Sequence, residues 1–325
     1  MKITSPALLV SITFIILGIL LNTWLIQSTK VYKTTKEELA NTLSYKNRFL
    51  DEKEWQLERE SKAGDFSIEG DRIKIVLPFG SSKELAKKYK QLEEKIQQAQ
   101  QTNQTRTFYV LLLIALYLLI MGAIYWKAKP TFLALCTLIA VSIVCLHAGL
   151  FTPMLEIGAV ERDLNLGEIP IQKEIMGINV DLTVQKKFEG DISFYYQSKS
   201  VIELITLLFQ QNNLLVGISI LIFSVLFPFI KTLLLIAFLF KPQIKKQKWF
   251  SNFVLNLSKW SMADVFVVAM FLGFLAFENM QAGVNTYSNI CVGLYFFLAY
   301  CILSIFSSML AKLPTEEGFQ SQTTA

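Results

Sequence analysis

Six apolar runs alternate with two long polar stretches along the chain's 325 residues. The first run, 6–26, has about 20 residues, the length that crosses a hydrocarbon core. Lys2 precedes it. Yet it is longer than the apolar part of a signal peptide and runs into Gln27, Ser28, Thr29 and Lys30 with no small-x-small cleavage site, so it reads as an uncleaved span. Further runs lie at 108–126, 131–150, 213–240, 260–277 and 290–310. The pattern predicts an all-α integral membrane protein with six transmembrane helices.

In the first polar stretch, 30–106, Leu85, Tyr89, Leu92, Ile96 and Ala99 recur at alternating steps of four and three, a coiled-coil seam. Leu39, Leu43, Leu50 and Leu57 offer a weaker partner seam, interrupted by Lys46 and Lys53. An antiparallel coiled-coil hairpin follows, each arm roughly 40 Å long at 1.5 Å per residue. Two short strands around a turn, 65–68 and 73–77, are expected at its tip. Ile73 and Ile75 there, with Leu85, Tyr89, Leu92 and Ile96 on the seam, are the candidate docking residues for a partner.

The second polar stretch, 151–212, has strand character. Ile178, Val180, Leu182 and Val184 alternate with polar residues, Glu189-Gly190-Asp191 makes a turn, and Ile192, Phe194 and Tyr196 alternate again. A small β-containing outer loop is expected. Ser200 and Glu203 have capping-box spacing ahead of a short apolar helix, which gives Glu203 a structural role. The chain therefore divides into 1–130, two spans flanking the hairpin; 131–311, four spans with the β-containing loop; and a polar tail, 312–325.

Composition agrees: 53% hydrophobic and 18% charged is too apolar for a soluble protein of this length. The net charge of +5 comes from lysines gathered at the ends of apolar runs: Lys2, then Lys127 and Lys129, then Lys241, Lys245, Lys246, Lys248 and Lys259, then Lys312. By the positive-inside rule both termini are cytoplasmic and both polar stretches face out, and topology rather than a nucleic-acid partner accounts for the charge. Cys136, Cys145, Cys291 and Cys301 lie in apolar runs, without CxxC or histidine at ligand spacing, so neither metal nor cofactor is expected. GxSxG, HExxH and glycine-rich phosphate loops are absent, and Glu156, Glu161, Asp163 and Glu168 follow no pattern. The expectation is a protein that is not an enzyme, with no catalytic residues.

Two ionisable residues fall inside apolar runs, Lys231 and Asp264, on either side of the basic turn. A charge at membrane depth costs roughly 2.5 kcal/mol or more, so it faces protein or water by default and marks a functional path. Lys231 has the alternative of snorkelling to the surface, helped by a kink at Pro228. Asp264 has that of closing a capping box with Ser261. Ser224, Pro228, Lys231 and Asp264 are the candidate lipid- or ion-path residues. His147, near the outer end of the third run, reads as an interfacial side chain.

At these residues the chain resembles a known family. Pro153-Met154-Leu155-Glu156-Ile157, Phe227-Pro228-Phe229-Ile230-Lys231 and Lys259-Trp260-Ser261-Met262-Ala263-Asp264-Val265-Phe266 are similar to motifs of the paraquat-inducible protein A family of bacterial inner-membrane proteins. The resemblance covers 131–311. It implies a four-helix module laid out like tetraspanins and claudins, with Pro228 and Lys231 as the family's Pro-x-x-Lys and Trp260, Ser261, Met262 and Asp264 as its Trp-Ser-Met-x-Asp. It also implies work beside MCE-domain periplasmic proteins, loading or extracting membrane phospholipid at the bacterial inner membrane. Better-known members carry two modules and zinc ribbons with paired CxxC motifs. This chain has one module and an external hairpin, so a homo-oligomer or a second membrane subunit is expected to complete it. The alternative is a non-transporting scaffold that docks an envelope partner through its coiled coil.

Overall fold

Between Gly18 and Gly64 the sequence holds neither glycine nor proline, so nothing in the chain stops a helix where the first apolar run ends. The computed structural model accordingly continues it: α1, Ser5–Thr42, passes from the apolar run into the polar stretch without a break. The structure describes residues 5–44, 46–48, 65–69, 72–79, 83–128, 131–162, 165–175, 178–188, 190–240, 269 and 285–312.

After two strands, β1 (Asp65–Glu69) and β2 (Arg72–Phe79), α2 runs from Lys83 to Ala128 and ends ahead of Pro130, which cannot continue a helix. The two long helices are antiparallel. Ser11 bonds Tyr117, Arg106 donates to the Trp24 carbonyl, Ser28 bonds Asn103, and Lys88 lies 3.8 Å from Glu38, so partners rise on one helix as they fall on the other. Leu92 and Ile96 are buried, Leu85 and Tyr89 half-buried. The first arm is interrupted after Thr42, and residues 46–48 are helical again. Helix α1 stops at Thr42 although nothing local forces it, because the Leu43 carbonyl accepts from the Ser193 amide and Ser44 bridges the same strand. Leu50 and Leu57 of the expected seam lie outside the described residues.

Helix α3 (Thr131–Phe151) is the axis of the bundle: 78% of its apolar window is buried, against 28% for α1 and 17% for α2. Asn22 of α1 donates to the Val144 carbonyl at 2.8 Å. The last helix, α7 (Val292–Lys312), approaches α3 so closely that a Cβ on Gly149 would lie 2.8 Å from the Phe297 amide nitrogen. Small residues at such crossings bring backbones together where lipid offers no hydrophobic drive.

Between α3 and α7 come β3 (Leu155–Arg162), β4 (Asn165–Ile175), β5 (Ile178–Phe188), β6 (Asp191–Lys199) and the short helix α4 (Val201–Gln210). Next is one long helical run: α5 (Leu214–Ile220), a π-helical segment (Leu221–Leu226) and α6 (Phe227–Phe240). The π segment stands where Pro228 lacks the amide that would bond the Ser224 carbonyl, and the wider turn absorbs that gap. Strand β7 (Thr286–Ile290) precedes α7.

The strands form more sheet than the small loop expected. Strands β6, β3 and β7 make one antiparallel sheet, so the segment just before the last span also supplies a strand. The other sheet is ordered β1-β2-β5-β4, with β2 parallel to β5. The hairpin's two strands are therefore not a free tip: Ile73 pairs with Ile68 and Leu182, and Ile75 with Phe66 and Val184. Gly190, at φ +91, makes the expected turn before β6.

Five helices among the described residues are long and apolar enough to cross a membrane, and the chain is a multi-pass membrane protein. The sixth expected span, 260–277, lies outside the described residues apart from Ala269.

Candidate functional site

Two places among the described residues bury polar or charged side chains. The first is within the long helical run. Ser224, Pro228, Lys231 and Leu235 recur at helical spacing and are all buried, Lys231 to 3% exposure, whereas Leu226, Phe229 and Leu233 between them are exposed. One face of this helix therefore turns a hydroxyl and an ammonium into protein. Leu235 packs with Leu135, Cys136 and Ile139 of α3. The Ser224 hydroxyl finds no hydrogen-bond partner among the described residues. Asp264, Trp260, Ser261 and Met262 lie outside them.

The second is where α1 leaves its apolar run and meets the sheets. Lys33 and Lys36, one helical turn apart, reach two different elements. The Lys33 ammonium lies 2.7 Å from a Glu203 carboxylate oxygen at the start of α4, and the Lys36 ammonium 2.6 Å from Glu156 on β3. Glu203 also completes the capping box with Ser200 that its spacing predicts. Burial opposes its ionisation, but the hydrogen bond from Lys33 and the Ser200 amide outweigh this and hold its carboxyl below the ordinary value.

Glu156 occupies an inward position on β3 and its side chain is 3% exposed. Strand register places Ser198 and Asn289 directly opposite it on the two flanking strands. The Asn289 amide donates to one carboxylate oxygen at 2.9 Å, and the Tyr196 hydroxyl to the other at 3.2 Å. Lys36 also stands 4.9 Å over the Tyr32 ring. A buried ion pair stabilises only when its remaining hydrogen-bonding capacity is filled, and here the carboxylate has three donors. Burial, then the neighbouring carboxylate, push the Tyr196 hydroxyl well above its usual range. The same two causes push the Cys291 thiol up to about 12, which keeps it neutral.

Beside this pair opens a cavity of about 720 Å³, with walls from α1, α2, the β3–β7 edge and the start of α7. Its size is within the range of small-molecule sites.

The other sequence-predicted residues are dispersed. Pro153 is buried in the turn after α3, its carbonyl accepting from the Gly293 amide at 2.9 Å. His147 lies beside Phe151, ring centroids 5.2 Å apart. Sequence reasoning passed over Lys33 and Lys36, and set Glu156 aside for want of a pattern. Their one signal was two lysines one turn apart just past an apolar run, on the face that the helix period assigns to the interior.

No curated protein and no solved structure matches the chain. The family model for paraquat-inducible protein A does match, over residues 189–313, a segment that takes in β6, the Pro228–Lys231 helix and the last span. Over that segment the chain is similar to the paraquat-inducible protein A family.

Proposed function

We propose that the chain is an inner-membrane subunit of an envelope phospholipid-transport system, passing lipid between the membrane and a periplasmic partner of MCE-domain type. The observation that carries this is Lys231. A cation held at 3% exposure in a spanning helix, on one face with Ser224 and Pro228, is an expensive arrangement that membrane proteins keep for moving ions or amphiphiles. The family match over the same helix supports the reading. The sheets and the α1/α2 hairpin then lie on the periplasmic side, where a partner docks, and a second copy or second subunit completes the path.

The test is replacement of Lys231 by Met, Asp264 by Asn, and both together, scored by outer-membrane lipid barrier function in cells that need the chain, with protein level checked by blot. Transport predicts that each expressed single variant loses function and the double variant is no worse than either. Full function in all three makes the chain a scaffold that organises an envelope partner without carrying lipid.

A further inference from the structure

The cavity beside Lys36 and Glu156 is built mainly by the segment outside the family match. Its walls include residues of α1 and α2, both absent from 189–313. It has two chemically distinct ends. Lys36 and Glu156 line it beyond the apolar runs, Asn103 and Gln104 line it one helical turn before Phe108, and Phe108, Leu111 and Tyr295 line it within the spanning helices. The apolar end continues onto the outside of the bundle, where these three are 60%, 52% and 62% exposed. A pocket that is polar where α1 leaves its apolar run and apolar where the spanning helices begin has the two-ended character of an amphiphile at a membrane interface.

Its charge narrows the choice. Among the described residues, Lys36 and Glu156 are the only charged ones lining it, so one ammonium and one carboxylate face a wall otherwise of neutral amides, hydroxyls, a thiol and apolar groups. An ammonium has three donors, and a carboxylate about four acceptor positions. Glu156 accepts from Lys36, Asn289 and Tyr196, which leaves it one position. An anionic headgroup would meet Lys36 but bring its net charge against the buried carboxylate. A zwitterionic headgroup sets its phosphate at Lys36 and its ammonium toward Glu156, and leaves the pocket neutral.

We propose that this cavity holds a zwitterionic phospholipid, of the phosphatidylethanolamine class, by its headgroup, with the acyl chains leaving along Phe108, Leu111 and Tyr295. The proposal rests on the transport reading and names the lipid it moves.

The full chain is reconstituted in nanodiscs with equal phosphatidylethanolamine and phosphatidylglycerol, extracted, and weighed with its retained lipid by native mass spectrometry. The wild-type chain is expected to retain one phosphatidylethanolamine, preferred by about fivefold, the discrimination that one partly buried charge contact provides. Glu156→Gln keeps an acceptor for Lys36 and Asn289 but leaves the lysine unbalanced, and it should tip retention toward phosphatidylglycerol. Gln104→Trp, which puts bulk into the cavity one turn from Phe108, should retain neither. Equal retention of both lipids by the wild type, unchanged selectivity in Glu156→Gln, undiminished lipid in Gln104→Trp, or displacement of the lipid by millimolar inorganic phosphate each overturns the proposal. Barrier function separates the two readings. Non-selective retention in a chain that still needs Lys231 ends this proposal and leaves transport standing, whereas a selective site in a chain indifferent to both Lys231→Met and Gln104→Trp ends transport.

Discussion

Lys33 and Lys36 sit one turn apart, but their ion pairs differ in worth because their surroundings differ. Glu156 is buried and Lys36 nearly so, so Glu156→Ala leaves a cation and two other donors without their acceptor and costs about 3 kcal/mol, the price of breaking a buried pair. Glu203 is 41% exposed, and Glu203→Ala loses little more than its cap, about 1 kcal/mol. Thermal unfolding of the detergent-purified variants, followed by tryptophan fluorescence, should rank them in that order. Glu203 also sets a pH dependence. Its carboxyl titrates below its ordinary 4.5 in the folded chain, so the stability it contributes is complete above that value and fades as pH falls through the lower folded one. Lys33→Met should flatten this acid-side loss, and unfolding midpoints between pH 3 and pH 6 would reveal a slope that did not change. Little of this was legible in the sequence. The capping box was, because its spacing is local. Glu156 was not, because its donors come from Lys36, Tyr196 and Asn289, three segments that only the fold assembles.

Periodicity located the helices well where the chain's own preferences decide the outcome. Proline marks the end of α2 and the π segment before α6, and both could be anticipated from Pro130 and Pro228. Where a distant strand decides, periodicity gives no warning. The leucine seam continues past residue 42, yet α1 ends because β6 claims the Leu43 carbonyl. The crossing of α3 and α7 depends on a missing side chain. Gly149→Leu drives atoms into the Phe297 backbone, which cannot swing aside as a flexible side chain does. It should abolish accumulation of folded protein, whereas Gly122→Leu on α2, where a Cβ meets nothing within 4 Å, should accumulate normally. Fluorescence-detected size-exclusion chromatography of tagged variants distinguishes the two.

The chain is not two independent halves. Asn22 of α1 reaches the Val144 carbonyl, Lys36 reaches Glu156, and β2 pairs with β5, so 1–130 and 131–325 share a core, an ion pair and a sheet. Expressed as two fragments, they should co-purify, and 131–325 alone should be degraded, because it would carry a buried Glu156 without its Lys36 counter-ion and an open edge on β5. Stable accumulation of the second fragment by itself would make the hairpin an accessory.

The parallel pairing of β2 with β5 also governs the order of assembly. Ile73 waits for Leu182, which leaves the ribosome on the order of ten seconds later at ordinary synthesis rates. During that interval β1 and β2 exist as a two-stranded ribbon with one edge unanswered, and such ribbons are marginal in water. The nascent chain thus has a vulnerable period set by translation speed, and a pause before residue 178 prolongs the time in which this edge can find a wrong partner.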